Sequence, residues 1–271
     1  MTNNDFTHTN LGRTGIPVHR FGLSATNRPG RDVVRRAIDE GMNYFFAYGF
    51  DTHMLKTLKE EMKNDREKFV VATGAYNLLW GHTNLRRTLE KRLRQLNTDY
   101  IDVFLFLGVM KEKQFTERAR EDLYNLREEG KIRCTAISTH DRKLAGKLAS
   151  EGDIDVLMIR YNAAHRGAEE DIFTHLSEHD TGIVSYTATR WSYLLRRPKG
   201  WPEEERIPTA EMCYRFVLSN PDVHVCMTAP SNMRQFDENL EAVRRGPLDE
   251  EEMNYIKKFG DAVRHTKKWF M

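Results

Sequence analysis

The sequence has no long run of apolar residues. Nowhere in its 271 residues does a segment approach the roughly 18 to 20 apolar residues that a membrane-spanning helix needs. The N-terminal stretch also lacks the basic segment followed by an apolar segment that is typical of secretory signals. We therefore expect a cytoplasmic protein that does not act at a membrane.

Cysteine is scarce, and recognised metal-binding patterns are missing. The chain holds 3 cysteines, at positions 134, 213 and 226, which are too few and too far apart for a disulfide framework. There is no Cys-X-X-Cys, His-X-His or HEXXH motif, so we predict no metal site. A serine nucleophile elbow and a Cys/His signature of covalent hydrolysis are also absent.

The chain has little excess of either charge. Its 42 Lys and Arg residues nearly balance 40 Asp and Glu residues, for a formal net charge of +2. Such a balance gives no electrostatic footprint for nucleic acid. We expect a globular protein whose partner is a small molecule, and the oligomeric state stays open.

Short β-branched or aromatic runs alternate with longer amphipathic segments along the chain, a pattern typical of successive βα units. The predicted strands are 19–23, 44–47, 69–73, 101–107, 132–138, 156–161, 182–186 and 223–227. The predicted helices are 31–40, 52–63, 83–96, 116–129, 142–150, 169–179, 209–219 and 232–243.

Eight such units predict an α/β fold, a closed (β/α)₈ TIM barrel forming one domain over residues 1–271, because closure removes the exposed edges of an open sheet. An open doubly wound sheet is the alternative, but the glycine-rich phosphate loop that it requires is missing. Residues 11–23 predict an N-terminal hairpin at the barrel floor, with its turn at Arg13, Thr14 and Gly15. Residues 249–268 predict an extra C-terminal helix on the outside.

Five short motifs occur along the chain in a fixed order. They are LGRTG at 11–15, TDYIDV at 98–103, GKIR at 130–133 before a strand ending near Ser138, Tyr161-Asn162 after the sixth strand, and Glu238-Asn239 in the last unit. Together they resemble the aldo-keto reductase superfamily from Leu11 to about Val263, and the segments YNAAHRGAEEDIF and YTATRW resemble a bacterial branch of it. The resemblance implies an oxidoreductase with NADPH, or alternatively NADH, lying across the C-terminal mouth of the barrel.

The resemblance also implies which residues contact the cofactor. Ser138 would contact the nicotinamide carboxamide, and Tyr186 would stack on the nicotinamide ring. The adenosine end would be surrounded by Ser231, Gln235, Glu238 and Asn239. A helix starting near residue 232 offers unpaired N–H groups and a positive dipole end to a phosphate. The alternative is that Glu238 and Asn239 merely occupy a surface helix.

This part of the match is incomplete. The superfamily's glutamine on the sixth strand is replaced by Met158, and the asparagine that follows Ser138 is replaced by Thr139. Gln235 stands where an arginine or lysine often binds the 2′-phosphate. The cofactor is therefore an expectation carried by the remaining residues.

The residues that protonate the substrate in the superfamily are mostly replaced. Hydride transfer leaves negative charge on the carbonyl oxygen, so the enzyme must donate a proton as that charge develops. The resemblance places the proton-donating tyrosine at Tyr48, and the alternative is that Tyr48 lies on the strand and packs. The assisting Asp, Lys and His would fall at Phe46, Gly74 and Leu107.

Arg190 is the second catalytic candidate. It follows Tyr186 by four residues and precedes Trp191, so its cation could lie over the pocket and stabilise an oxyanion or an acidic substrate. A structural pairing with Glu169 or Glu170 is the alternative. Further polar residues near strand ends are Asp51, His53, His82, His140, Arg160 and His165, and each of them is more often structural or solvated than catalytic.

We predict an NADP(H)-binding oxidoreductase with an incomplete Asp/Tyr/Lys/His tetrad, acting on an unknown carbonyl-type or small organic substrate. Two alternatives stay open: a non-catalytic barrel that senses nucleotide or serves as a subunit, and a redox-neutral lyase or isomerase using the same pocket. Without the three ionisable helpers we expect an apolar, roomy floor that prefers flat or strongly apolar ligands, lined by Tyr76, Trp80 and Trp191.

Overall fold

The computed structural model describes residues 6–49, 51–76 and 84–266. The strands are β1 (His8–Asn10), β2 (Pro17–His19), β3 (Phe21–Ser24), β4 (Tyr44–Phe46), β5 (Val70–Tyr76), β6 (Ile101–Val109), β7 (Ile132–Thr139), β8 (Val156–Arg160), β9 (Gly182–Tyr186) and β10 (Val225–Thr228). The helices are α1 (Arg31–Asp39), α2 (His53–Glu61), α3 (Leu85–Leu96), α4 (Glu117–Glu128), α5 (Arg142–Glu151), α6 (Ala168–Asp171), α7 (Ala210–Leu218), α8 (Met233–Arg244) and α9 (Glu250–Thr266).

Strands β3 to β10 form one closed parallel barrel, and β10 closes it by pairing with β3, where Cys226 lies opposite Phe21. The predicted (β/α)₈ barrel is therefore confirmed. One apolar cluster fills the inside of the barrel, and a second lies between the strands and the surrounding helices. This division follows from the alternation of side chains along each strand, which sends successive residues to opposite faces.

The N-terminal hairpin closes the floor of the barrel, as predicted. Strands β1 and β2 pair in antiparallel fashion, with Thr9 opposite Val18. The side chains of Leu11 and Val18 are fully buried and join the apolar cluster inside the barrel. Gly15 ends the turn at a φ of 65°, in the left-handed region that glycine adopts without steric cost. The opposite end of the barrel is left open for a ligand.

An ion-pair cluster lies near the floor. The Asp102 carboxylate is fully buried and accepts hydrogen bonds from Arg66 at 2.7 Å and Arg133 at 3.0 Å. It also accepts the backbone N–H of Val71 at 2.9 Å. This part of the TDYIDV motif therefore joins β5, β6 and β7 and lies far from the open mouth.

The sixth unit differs from the prediction of one helix over 169–179. It consists of the short helix α6 followed by a 3-10 turn, Phe173–His175. The break is at Ile172, whose φ of −129° is not helical and whose side chain is buried. The free energy gained by burying Ile172 and Phe173 in the apolar cluster between the strands and the outer helices outweighs the local preference for a continuous helix.

The remaining differences are small. The first barrel strand begins at Phe21, because His19 belongs to the hairpin. α9 packs through Ile256, Phe259 and Val263, as expected for the tail, and the predicted residues 267 and 268 lie outside the described part. None of the helices described is long and apolar enough to span a membrane.

Candidate active site

A cavity of about 490 Å³ opens at the carboxyl ends of the barrel strands. This is the end at which barrels of this type place their active sites, and the size suits a small ligand. The residues that line it are Ser24, Thr26, Asn27, Phe46, Tyr48, Tyr76, Leu107, Gly108, Ser138, His140, Met158, Tyr186, Thr187, Ala188, Thr189, Trp191, Ser192, Tyr214, Met227 and Ala229.

The floor of this cavity is apolar. It contains the buried side chains of Phe46, Leu107, Met158 and Met227. Among the lining residues that the structure describes there is no Asp, Glu, Lys or Arg. The expected apolar floor is therefore present, and an ion entering it would lose hydration without gaining a charged partner.

Gly74 does not widen the floor, contrary to the expectation of a roomier pocket. A Cβ at this position would lie 2.3 Å from the carbonyl oxygen of Leu105 and 2.9 Å from Cγ of Leu107. Strand β6 therefore approaches β5 so closely that a side chain at Gly74 does not fit. The close approach of the two strands, together with the Leu107 side chain, occupies the space that a longer residue would need.

Tyr48 lies just beyond the end of β4 and lines the cavity. Its ring stacks on Phe46, with centroids 4.5 Å apart and planes at 19°, and is tilted against Tyr76 at 6.4 Å. Its hydroxyl is 3.0 Å from Oγ1 of Thr26, which in turn is 2.8 Å from Oγ of Ser24. The phenol is therefore held between aromatic rings and a chain of neutral hydroxyl groups.

Tyr186 and His140 meet on the opposite wall. The Tyr186 hydroxyl lies 3.2 and 3.3 Å from the two ring nitrogens of His140, and the rings meet edge to face. Burial raises the pKa of the Tyr186 phenol above its usual range. Burial, together with the nearby Arg160 charge, lowers the pKa of His140, so this histidine is neutral at pH 7. Ser138 lines the same wall.

Arg190 does not present its charge to the cavity, contrary to one sequence-based expectation. Its side chain is buried, at 1% exposure, and its guanidinium donates to the carbonyl oxygen of Val263 in α9 at 3.0 Å. Glu169, one of the two carboxylates considered as a structural partner of Arg190, accepts a hydrogen bond from the hydroxyl of Tyr161 at 2.6 Å. Arg190 therefore braces the C-terminal helix.

The loop that contains Arg190 is strained. Arg190, Trp191 and Ser192 follow one another at φ values of 50°, 53° and 66°, and Thr187 has a φ of 61°. Four non-glycine residues in the left-handed region cost free energy, and such strain concentrates at functional sites. One effect is that Trp191 is held 59% exposed at the cavity rim.

The four residues expected at the adenosine end occupy different environments. Ser231 and Gln235 lie at the start of α8, where Gln235 Oε1 accepts the Ser231 N–H at 2.8 Å. Glu238 is exposed on the same helix. Asn239 is only 7% exposed, and its amide nitrogen donates to Thr228 Oγ1 in β10 at 3.0 Å.

Arg234 was not among the residues considered in the sequence analysis. It lies in the first turn of α8, beside Gln235, and its side chain is 84% exposed, with an ion pair of 3.6 Å to Glu238. In the sequence it immediately precedes Gln235, the position at which an arginine or lysine was considered for a contact with the 2′-phosphate. A cation here would reinforce the positive end of the α8 dipole.

Two of the other polar candidates have structural contacts, and one lies outside the described part. Asp51 caps α2 by accepting the N–H of Met54 at 2.8 Å. His165 is 3.2 Å from the side-chain oxygen of Asn162, and burial together with neighbouring arginines lowers its pKa to about 3. His82 and Trp80 fall outside the described residues. Within the described ranges no group of three His, Cys, Asp or Glu side chains could hold a metal ion.

Comparison with known proteins establishes the family. The model of the aldo/keto reductase family matches residues 26–261, so the chain belongs to this family. Among curated proteins, the uncharacterized oxidoreductase YqkF of Bacillus subtilis (strain 168) is 22% identical over 306 residues, covering 95% of this chain and 96% of that protein.

Solved structures share the same fold. The holo form of the aldo-keto reductase AKR11C1 from Bacillus halodurans has a TM-score of 0.78 at 22% identity, covering 94% of this chain and 97% of that chain. An aldo/keto reductase from Klebsiella pneumoniae in complex with NADP and acetate has a TM-score of 0.75 at 20% identity, covering 93% and 95%. At this level of identity the likeness concerns the fold.

Proposed function

We propose that this protein is an NADPH-dependent oxidoreductase that reduces an uncharged, planar carbonyl compound. The observation that carries the proposal is the cavity at the barrel mouth, which joins aromatic walls to a floor without charged side chains among the residues described. Membership of the aldo/keto reductase family supports the reaction class. The complex of the Klebsiella pneumoniae relative with NADP supports the cofactor.

The cofactor would lie across the strand ends from β7 to α8. Ser138 and Tyr186 would hold the nicotinamide end, and Ser231, Gln235 and Glu238 would lie beside the adenosine. Arg234 would pair with a 2′-phosphate, since an exposed guanidinium matches the geometry of a phosphate group. The last contact favours NADPH over NADH. Asn239 would act indirectly, by fixing α8 against β10.

When bound, the cofactor supplies a hydride to the carbonyl carbon. The carbonyl oxygen then needs a proton, and Tyr48 is the candidate donor because its phenol lines the cavity. Phe46 and Leu107 replace two of the charged helpers of this phenol, so we expect its hydrogen bond to the neutral Thr26 hydroxyl to contribute more to stabilising the transition state.

The shape and polarity of the cavity restrict the substrate. The exposed rings of Tyr76 and Trp191, at 49% and 59%, offer faces against which a planar ligand can stack. A carboxylate bound on the floor against Phe46 and Leu107 would lose hydration without gaining an ion pair. We therefore expect aromatic aldehydes, aromatic ketones or quinones to be preferred over their carboxylated analogues.

Two measurements test this function in sequence. Titration with NADPH, followed by nicotinamide fluorescence, should show saturable binding. NADPH oxidation should then be measured with matched pairs of neutral and carboxylated aromatic carbonyls, and kcat/KM should be at least about tenfold higher for the neutral member. A clear preference for the carboxylated member would contradict the substrate class.

A second candidate function is a non-catalytic barrel that binds the nucleotide. The absence of ionisable side chains from the floor, among the residues described, favours it. Tight NADPH binding without oxidation of any carbonyl or quinone would support this candidate against the first. Turnover that persists after all nicotinamide is removed would instead indicate redox-neutral chemistry.

A further inference from the structure

Three hydroxyl groups form a continuous chain at one edge of the cavity. The Tyr48 hydroxyl is 3.0 Å from Oγ1 of Thr26, and that oxygen is 2.8 Å from Oγ of Ser24. All three residues line the cavity. They come from different places in the fold, since Ser24 ends β3, Thr26 lies in the turn after it, and Tyr48 follows β4.

One arrangement of the hydroxyl protons aligns this chain toward the cavity. Ser24 caps the turn by accepting the Thr26 N–H at 3.3 Å, which leaves its own hydroxyl proton available to Thr26 Oγ1. If Tyr48 donates its proton into the cavity, its oxygen can accept the hydrogen bond that Thr26 donates. The aligned order is then Ser24 to Thr26 to Tyr48 to the carbonyl oxygen of the substrate.

Such an alignment becomes stronger as the reaction proceeds. Once the Tyr48 proton moves toward the substrate, the phenol oxygen gains negative charge, and a hydrogen bond to a charged oxygen is roughly twice as strong as one to a neutral oxygen. The Thr26 hydrogen bond would therefore stabilise the transition state more than the bound substrate, which is the condition for raising kcat. The neighbouring rings of Phe46 and Tyr76 offer no comparable stabilisation from their faces.

We propose that Thr26 is a positioning residue for proton donation by Tyr48, and that the Ser24–Thr26–Tyr48 hydroxyl chain does in this barrel what charged side chains would otherwise do. The proposal rests on the proposed function. A hydride reaches the carbonyl carbon while the Tyr48 proton passes to the carbonyl oxygen, which yields the alcohol. The phenolate left on Tyr48 is reprotonated through Thr26, whose hydroxyl passes its proton to Tyr48 as it accepts one from solvent water in the same step, leaving hydroxide in the solvent.

The test compares Thr26→Val, Thr26→Ser and a control. Valine keeps the branched shape of threonine but removes the hydroxyl, so we expect kcat to fall about 10- to 100-fold. KM for the carbonyl substrate and the dissociation constant of NADPH, measured by fluorescence, should change less than about threefold. Thr26→Ser should restore kcat, and the hydroxyl deletion Thr174→Val, on an exposed segment outside the cavity, should leave it unchanged.

A double-mutant cycle with Tyr48→Phe separates catalysis from folding. If Thr26 acts through the Tyr48 hydroxyl, Thr26→Val should have no further effect on kcat once that hydroxyl is gone. Equal kcat for wild type and Thr26→Val, or a weaker NADPH affinity as the sole change, would overturn the proposal. Wild-type protein that binds NADPH but oxidises it with no carbonyl would remove the proposed function and the hydroxyl chain together, whereas wild-type turnover unaffected by Thr26→Val removes the hydroxyl chain alone.

Discussion

Substitution of Gly74 by alanine tests why this barrel carries no side chain where a lysine would be expected from its family. The added Cβ would lie 2.3 Å from the carbonyl oxygen of Leu105, and contacts under 3.0 Å require a shift of the surrounding atoms. Gly74 and Leu105 are paired residues of β5 and β6, so the shift would have to separate two strands of the closed barrel. We therefore expect Gly74→Ala to be destabilising.

The size of the effect follows from the contact. Overfilling a packed interior costs about 1–3 kcal/mol. For a chain of this size the corresponding decrease in Tm is about 2–5 °C. Gly30→Ala is a suitable control, because its Cβ would have no atom within 4 Å, and it should change stability by less than about 1 kcal/mol.

Thermal denaturation followed by circular dichroism measures these differences. Adding Leu107→Ala removes the contact at 2.9 Å but leaves the one to the Leu105 carbonyl oxygen. The double variant should therefore show little recovery relative to the sum of the single variants. A Gly74→Ala protein as stable as wild type would refute the close approach of the strands, and full recovery in the double variant would assign the clash to Leu107 instead.

Three further predictions concern other parts of the molecule. Arg234→Ala should weaken NADPH binding about tenfold and leave NADH binding unchanged in fluorescence titrations, and equal losses for both would contradict a contact with the 2′-phosphate. Asp102→Ala should lower the free energy of unfolding by about 3–5 kcal/mol in urea denaturation, because it leaves Arg66 and Arg133 without their buried partner. As a control, Asp153→Ala removes one partner of an exposed ion pair and should lower the free energy of unfolding by less than about 1 kcal/mol. The third prediction concerns His224, whose Nδ1 accepts the N–H of Ile183. Burial lowers the pKa of His224 to about 4, so its contribution to the free energy of unfolding should be complete above pH 6.5 and should be lost as the pH falls toward 4. His224→Gln should flatten this part of the stability curve, and an unchanged curve would contradict the assignment.

The strand order could be predicted because each strand is a short apolar run bounded by turn residues, and eight such runs between amphipathic helices have few ways to bury their faces. Strand length was harder to predict. β5 was expected to end at Thr73 but continues to Tyr76, because Ala75 and Tyr76 pair with β6, more than thirty residues further along the chain. The end of β5 could not be predicted, because the amino-acid composition of residues 74–76 does not show that they pair with β6.

In the candidate site, too, some features could be predicted from the sequence and others depend on the tertiary structure. The family resemblance suggested Tyr48, Ser138 and Tyr186 for the mouth of the barrel, and all three line the cavity. The direction of a side chain in a loop depends on backbone angles and on what packs against it. The Arg190 side chain contacts α9 and the Asn239 side chain contacts β10, and neither contact could be predicted from the sequence.

The amino-acid sequence by itself determined the barrel, the floor hairpin, the outer C-terminal helix and the replacement of ionisable side chains by Phe46, Gly74 and Leu107. Only the tertiary structure decided that β6 approaches β5 too closely for a side chain at Gly74, and that the Tyr48 hydroxyl meets Thr26. The physical reason is that hydrophobic patterning is a local property of the chain. Contacts between neighbouring strands and loops depend instead on how separate units are packed around one core.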